Sequence, residues 1–170
     1  MTTVLIPSYQ RAFKSTFYIE ETSAYEEFGP TWNASLKVDY DTNRNPLKIS
    51  LIKKTQKYMH RRGMHVWKIF VGKTRKGWHL RVWIQYNPLH VAYDYYDHYW
   101  LPAATTLKLQ SMLGDDPFRQ KFNASRVRRK KAGYNVLFTH KYYNGKLIGQ
   151  EVFDPEMTKK VENIFRKSQS

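Results

Sequence analysis

Asp39 and Asp41 close the run Ala34-Ser35-Leu36-Lys37-Val38-Asp39-Tyr40-Asp41, and alternation along a strand sets both carboxylates on the same side of its end. Carboxylates this close repel one another and resist burial unless a cation lies between them. From Thr42 through Tyr93 the chain carries twelve Lys or Arg and no Asp or Glu. Paired acids beside so basic a stretch point to a divalent cation and a phosphate. The plainer alternative is a polar strand end with solvated acids. A second cluster, Thr74-Arg75-Lys76-Gly77-Trp78-His79-Leu80-Arg81-Val82, is a basic glycine-containing turn feeding a strand. Arg75, Lys76 and Arg81 offer cations to phosphates there, with His79 and Arg81 on one face, although a merely basic hairpin has the same pattern. A third, Phe122-Asn123-Ala124-Ser125-Arg126-Val127-Arg128-Arg129-Lys130-Lys131, leads on to Asn135 and Lys141 and reads as a phosphate-binding edge or a solvated loop.

Composition widens this picture. The 170 residues suit one domain, enough chain to bury roughly 70% of its unfolded surface. Apolar residues make up 41%, which supports a packed core. The formal net charge of +15 points to a polyanionic partner, DNA or RNA above all. Residues 117–150 add nine Lys or Arg, again without an acid. With no Cys, disulfides and thiolate zinc sites are excluded. No apolar run reaches the ~18–20 residues of a membrane span, and Met1–Pro7 lacks the charged start of a signal peptide. The expectation is a soluble, cytoplasmic protein with no membrane partner.

The elements that must position these residues follow from periodicity. Residues 1–33 read as a flank covering the sheet, and a strand spans about 35–40. Asn45-Pro46 reads as N-cap and first helical residue of a helix ended by Gly63, with Leu47, Leu51, Thr55, Tyr58 and Met59 at helical spacing. Lys53, Lys57 and Arg61 on this helix are candidate nucleic-acid contacts. Met64–Val71 and Trp78–Gln85 alternate as hairpin strands around the glycine-bounded turn. Pro102 opens a helix to about Leu113, and Asp116-Pro117 starts a short helical segment through Phe122. Tyr134–Tyr142 and residues 147–153 read as strands joined at Asn144-Gly145. Asp154-Pro155-Glu156 caps a last helix over 154–170, with Met157, Val161, Ile164 and Phe165 facing inward. The order from residue 34 is β-α-β-β-α-β-β-α. That predicts an α+β domain with an RNA-recognition-like (ferredoxin-like) antiparallel sheet and helices on one face, plus the N-terminal flank.

On these elements, in this order, the three clusters resemble the motifs of the archaeo-eukaryotic primase superfamily, the primase small subunits and primase-polymerases. Leu36-Lys37-Val38-Asp39-Tyr40-Asp41 is similar to its hydrophobic strand ending in Asp-x-Asp. Arg75-Lys76-Gly77-Trp78-His79 resembles its glycine turn with a strand-borne His. Phe122-Asn123, Arg126, Arg129, Asn135 and Lys141 resemble its third motif, and the likeness covers roughly residues 34–153. The resemblance implies template-directed nucleotidyl transfer in DNA replication, with Asp39, Asp41 and Asn123 at the positions that bind Mg²⁺ or Mn²⁺ and His79 on the phosphates of a nucleoside triphosphate. It implies that Arg126, Arg129 and Lys141 neutralise the triphosphate or template, and that other replication proteins are partners. Asn123 stands where the family has a third metal-binding Asp, with Asp115 and Asp116 nearby in sequence, so activity is in question. The alternative is a non-catalytic nucleic-acid-binding protein or an inactive primase subunit.

Tyr95 and Tyr96, within Tyr93-Asp94-Tyr95-Tyr96-Asp97-His98-Tyr99-Trp100, are candidates for base stacking, or else for a loop closing the core. His60 and His65 lack a third ligand and read as structural. A tyrosine nickase needs a His-x-His pair, and the chain contains none.

Overall fold

The computed structural model describes residues 2–5, 16–22, 32–86, 100–129 and 135–166. The chain is α+β, with two antiparallel four-stranded sheets and four helices among the described residues. The central sheet takes β3 (Trp32–Asp41), β4 (His65–Lys73), β5 (Gly77–Tyr86) and the short β8 (Val152–Phe153), in the order β3-β5-β4-β8. The β3-β5-β4 order is compatible with a ferredoxin-like core.

Alternation decides which residues enter the core. Leu36, Val38 and Tyr40 on β3 and Leu80, Val82 and Ile84 on β5 are all buried in one hydrophobic cluster. Each such side chain adds about 1.5–3 kcal/mol of burial. The intervening residues face the other side, and the register sets Asp39 opposite His79, Lys37 opposite Arg81 and Asp41 opposite Gly77. On β4 simple alternation fails. A register shift between Val66 and Lys68 brings Val66 onto the same buried side as Ile69 and Val71 and leaves Trp67 exposed.

Helices cover the apolar face. α1 (Ile49–Arg61) buries Ile52, Thr55, Gln56 and Met59, and α4 (Pro155–Arg166) buries Thr158, Val161 and Phe165. Met157 and Ile164 pack against the same core, as their spacing predicts. Asp154 caps α4 by accepting the Met157 N–H at 3.0 Å. Asn45 does not cap α1. Its Nδ2 donates to the carbonyls of Asp39 (2.7 Å) and Gly114 (3.1 Å), and the helix begins after Lys48 without a side-chain cap. α2 (Trp100–Met112) ends before Gly114, whose φ of +93° suits glycine. α3 (Pro117–Arg128) starts where Asp116-Pro117 places it but runs six residues past Phe122.

The chain after α3 departs most from expectation. Residues 135–139 form no strand, and β6 is His140–Tyr143 rather than Tyr134–Tyr142. The expected strand over 147–153 is broken at Glu151 into β7 (Lys146–Gln150) and β8. β6 and β7 leave the core and join β1 (Thr2–Leu5) and β2 (Thr16–Thr22) from the flank in a second sheet, ordered β1-β2-β6-β7.

No further strand pairs with the outer edge of β3 among the described residues. Side chains cap it instead. Gln110 Oε1 accepts the Lys37 N–H at 2.9 Å and Asp115 Oδ1 accepts the Asp39 N–H at 2.8 Å. Arg119 Nη1 donates to the Lys37 carbonyl at 2.8 Å, and Asn135 Nδ2 to the Ser35 carbonyl at 3.1 Å. An open strand edge is a row of unpaired donors and acceptors. Closing it with polar side chains fixes α3 beside the end of β3 that carries Asp39.

Candidate functional site

Asp39 and His79 meet because they are register partners on neighbouring antiparallel strands, both on the face turned away from α1 and α4. Asp39 Oδ1 lies 3.4 Å from His79 Nε2, and the Asp39 side chain is 42% exposed. On the other side of the ring, Glu151 Oε1 lies 2.6 Å from Nδ1. Glu151 also takes both bonds from Arg81 Nη1, at 2.6 and 2.7 Å, while Arg81 Nη2 donates to the Leu137 carbonyl at 3.2 Å.

Glu151 reaches this position from the break between β7 and β8, where its N–H donates to the Thr139 carbonyl at 2.8 Å. Its side chain crosses the sheet over Gly72. A Cβ on Gly72 would collide with the Glu151 Cγ and stand 2.6 Å from its Cδ. Only glycine leaves that passage open.

Carboxylates flank both ring nitrogens. A carboxylate accepts only, so Nδ1 carries a proton toward Glu151, and a bare Nε2 lone pair would face Asp39. Burial alone pushes the His79 pKa down, but the hydrogen bonds and charges of Asp39 and Glu151 outweigh it and hold the pKa above the ordinary histidine value. Burial alone would likewise raise Asp39 and Glu151. The His79 hydrogen bond, with the charges of Arg119 and Lys76 at Asp39 and of Arg81 at Glu151, holds both below their usual range.

These shifts set a pH dependence. The raised His79 pKa contributes stability that is full below the unfolded value of about 6.5 and is lost as pH rises through the folded one. The depressed Asp39 and Glu151 contribute stability present above their unfolded values, about 4, and lost as pH falls through the folded ones. Buried Asp115, whose pKa is raised by desolvation despite Arg119, acts oppositely and loses stability as pH climbs from its unfolded value. Urea midpoints are therefore expected to fall from pH 6 to pH 9, and His79→Gln is expected to flatten that decline. A wild-type decline that His79→Gln leaves intact would contradict the imidazolium assignment.

Asp39 and His79 border a cavity of about 620 Å³ between the sheet end, α3 and residues 136–141, with Glu151 also in its lining. Arg75, Lys76, Arg119, Arg126 and Lys141 supply cations to its wall. The sequence-derived candidates Asp39, His79, Asn123, Arg75, Lys76, Arg126 and Lys141 thus converge on one cavity. Arg81 does not line it, being buried against Glu151. Arg129 caps the C-terminus of α3 outside the lining, and Asp41 is also outside it. Lys53 and Lys57 border a separate groove of about 430 Å³ between α1 and α4 with Lys160, on the helix side of the sheet, and Arg61 lies exposed at the end of α1. Tyr95 and Tyr96 lie outside the described residues.

Arg119 and Glu151 were not singled out by the sequence. Arg119 holds Asp115 Oδ2 at 2.7 Å, Asn135 Oδ1 at 3.0 Å and the Lys37 carbonyl, so it serves the fold as well as the cavity. The signal for Glu151 was its isolation: it is the first acid after the basic span 117–150.

The primase resemblance implies Mg²⁺ or Mn²⁺ at Asp39, Asp41 and Asn123, but the donors at these positions are largely engaged elsewhere. Asn123 is buried, and its Oδ1 already accepts the Asn135 N–H at 2.8 Å. Asp41 Oδ1 accepts the Asn43 N–H at 2.9 Å in a tight turn. Among the described residues no group of three His, Asp or Glu side chains gathers as a metal cluster. A two-ion centre on Asp39, Asp41 and Asn123 does not fit this arrangement. Of the two acids only Asp39 borders the cavity.

No helix among the described residues is long and apolar enough to cross a membrane. In comparison with known proteins, the chain matches no protein-family model, no curated protein and no solved structure.

Proposed function

We propose that this chain binds nucleotides and nucleic-acid strands through their phosphates, on a primase-polymerase-like core. One observation carries the reading: Asp39 and His79, apposed on neighbouring strands, open into a single cavity walled by Arg75, Lys76, Arg119, Arg126 and Lys141. A phosphate there meets guanidinium and ammonium donors, each a charge-assisted partner, beside the His79 ring whose Nε2 faces Asp39. The β3-β5-β4 order supports the RNA-recognition-like sheet that the primase resemblance implies. Nucleoside triphosphates and single-stranded DNA or RNA are the ligands of this reading, and the strongly positive chain makes their binding salt-sensitive.

A second reading is template-directed nucleotidyl transfer in replication, alone or beside other replication proteins. The exposed Asp39 carboxylate at the cavity edge, with Asp41 on the same strand face, favours it. A Mg²⁺ or Mn²⁺ held at Asp39, largely by substrate phosphates, would supply neutralisation of phosphate charge. His79 would orient the phosphates, and Lys76 and Arg126 would hold their outer oxygens.

Fluorescence anisotropy of a labelled single-stranded oligonucleotide, in rising salt, tests the first reading. Tight binding at low salt that weakens steeply is expected, and no binding at low salt would overturn it. Labelled-nucleotide incorporation on primed templates with Mg²⁺ or Mn²⁺ then separates the two. Product abolished by Asp39→Ala establishes transfer, whereas absence of product leaves a binding protein.

A further inference from the structure

α3 presents two faces, one of which does not match its surroundings. Asn123 and Val127 are buried against the fold, as an amphipathic helix requires. Phe118 and Phe122, one helical turn apart, are instead 68% and 54% exposed. Both line the cavity that holds Asp39, His79, Lys76 and Arg126. Each ring already carries a cation: the Arg44 guanidinium lies 5.5 Å from the Phe118 centroid, and that of Arg126 lies 4.8 Å from the Phe122 centroid.

Large apolar rings in a strongly cationic recess serve no purpose for a bare phosphate. An occupant that satisfies both features has a flat π surface and negative charge at once. We infer that Phe118 and Phe122 form a nucleobase platform, so that the cavity takes a whole nucleotide, base on α3 and phosphates toward Lys76 and His79. The inference rests on the phosphate-binding reading of the same cavity and adds to it the residues that receive the base. Stacking on an aromatic side chain is sequence-tolerant, because every base has a π face. The platform therefore discriminates nucleotide from polyphosphate rather than one base from another.

Isothermal titration with ATP and with tripolyphosphate, which has the charge without the base, tests this. Wild-type protein is expected to bind ATP at least about tenfold more tightly, the scale of one stacked base. Phe118→Ala/Phe122→Ala is expected to remove most of that preference. The readout is the ratio of the two affinities, because loosening Arg126 from the Phe122 ring would weaken both ligands alike, and both rings are exposed, so truncation costs little stability. Equal wild-type affinity for the two ligands, or a preference that survives the double substitution, would overturn the platform while leaving the phosphate site standing. If neither ligand binds, the phosphate-binding reading fails and the platform with it.

Discussion

Glu151→Ala is expected to lower unfolding free energy by about 3–5 kcal/mol, the cost of removing one partner from a buried ion pair. The reason is what remains behind. The Glu151 side chain is 5% exposed and holds both Arg81 and His79. Without it the Arg81 guanidinium keeps the Leu137 carbonyl and the face of the Phe70 ring, neither of which neutralises its charge, and the His79 Nδ1–H loses its acceptor. Against a typical total of about 5–15 kcal/mol, the loss is large. Urea denaturation measures it directly, and a loss below about 1 kcal/mol would show that water reaches both cations. Gly72→Ala attacks the same contact from the backbone. Its methyl group would occupy the space the Glu151 side chain crosses, and overpacking of that kind costs about 1–3 kcal/mol. Both substitutions are also expected to bring the His79 pKa down, because Glu151 is one of the two acids that raise it.

The second large effect concerns binding. Arg75→Glu/Lys76→Glu is expected to weaken ATP and oligonucleotide affinity at least about a hundredfold. Two hydrogen bonds to a charged group are lost, at about 1.5–3 kcal/mol each, and repulsion is added. Both residues are exposed in the turn between β4 and β5. That turn is held by the Thr42 N–H on the Lys76 carbonyl (2.9 Å) and by Thr74 bonded to Gly77, neither of which uses the mutated side chains. Folding is therefore expected to survive, checked by an unchanged urea midpoint. Affinity within about threefold of wild type would remove the turn from the site.

The contrast between what the sequence made legible and what it hid has a physical basis. β3 and β5 were readable because period-2 alternation over ten residues carries both the core and the site on opposite faces. Asp39 with Asp41, and His79 with Arg81, could therefore each be set on one face of a strand, whereas the pairing that brings Asp39 to His79 was not legible. α4 was readable for the same kind of reason, with Asp154 marking its start. The bulge at Val66/Lys68 was not, since the extra residue leaves no compositional mark. Nor was the course of residues 135–153. Tyr142 and Leu147 have the propensities of any strand, and only tertiary pairing decides that β6 and β7 join the flank rather than β3. The same choice leaves the β3 edge to Gln110, Asp115, Arg119 and Asn135, whose roles depend on side chains remote in sequence. Asn135 adopts φ 62° there, a conformation Asn tolerates, and this backbone turn replaces the strand start expected nearby. Phe122 was read as part of a motif and Phe118 was not singled out, because exposure on α3 cannot be inferred from spacing that equally describes a core face.

Lysine acetylation footprinting, read by mass spectrometry with and without a saturating single-stranded oligonucleotide, tests most directly that the cavity is the anion site. Lys76 and Lys141 line the cavity, whereas Lys53, Lys57 and Lys160 line the groove between α1 and α4, so the protein contains its own control. Protection of Lys76 and Lys141, with unchanged labelling of Lys53, Lys57 and Lys160, is the expected result. Protection confined to Lys53, Lys57 and Lys160 would move the nucleic-acid interface to the helix face and contradict the assignment.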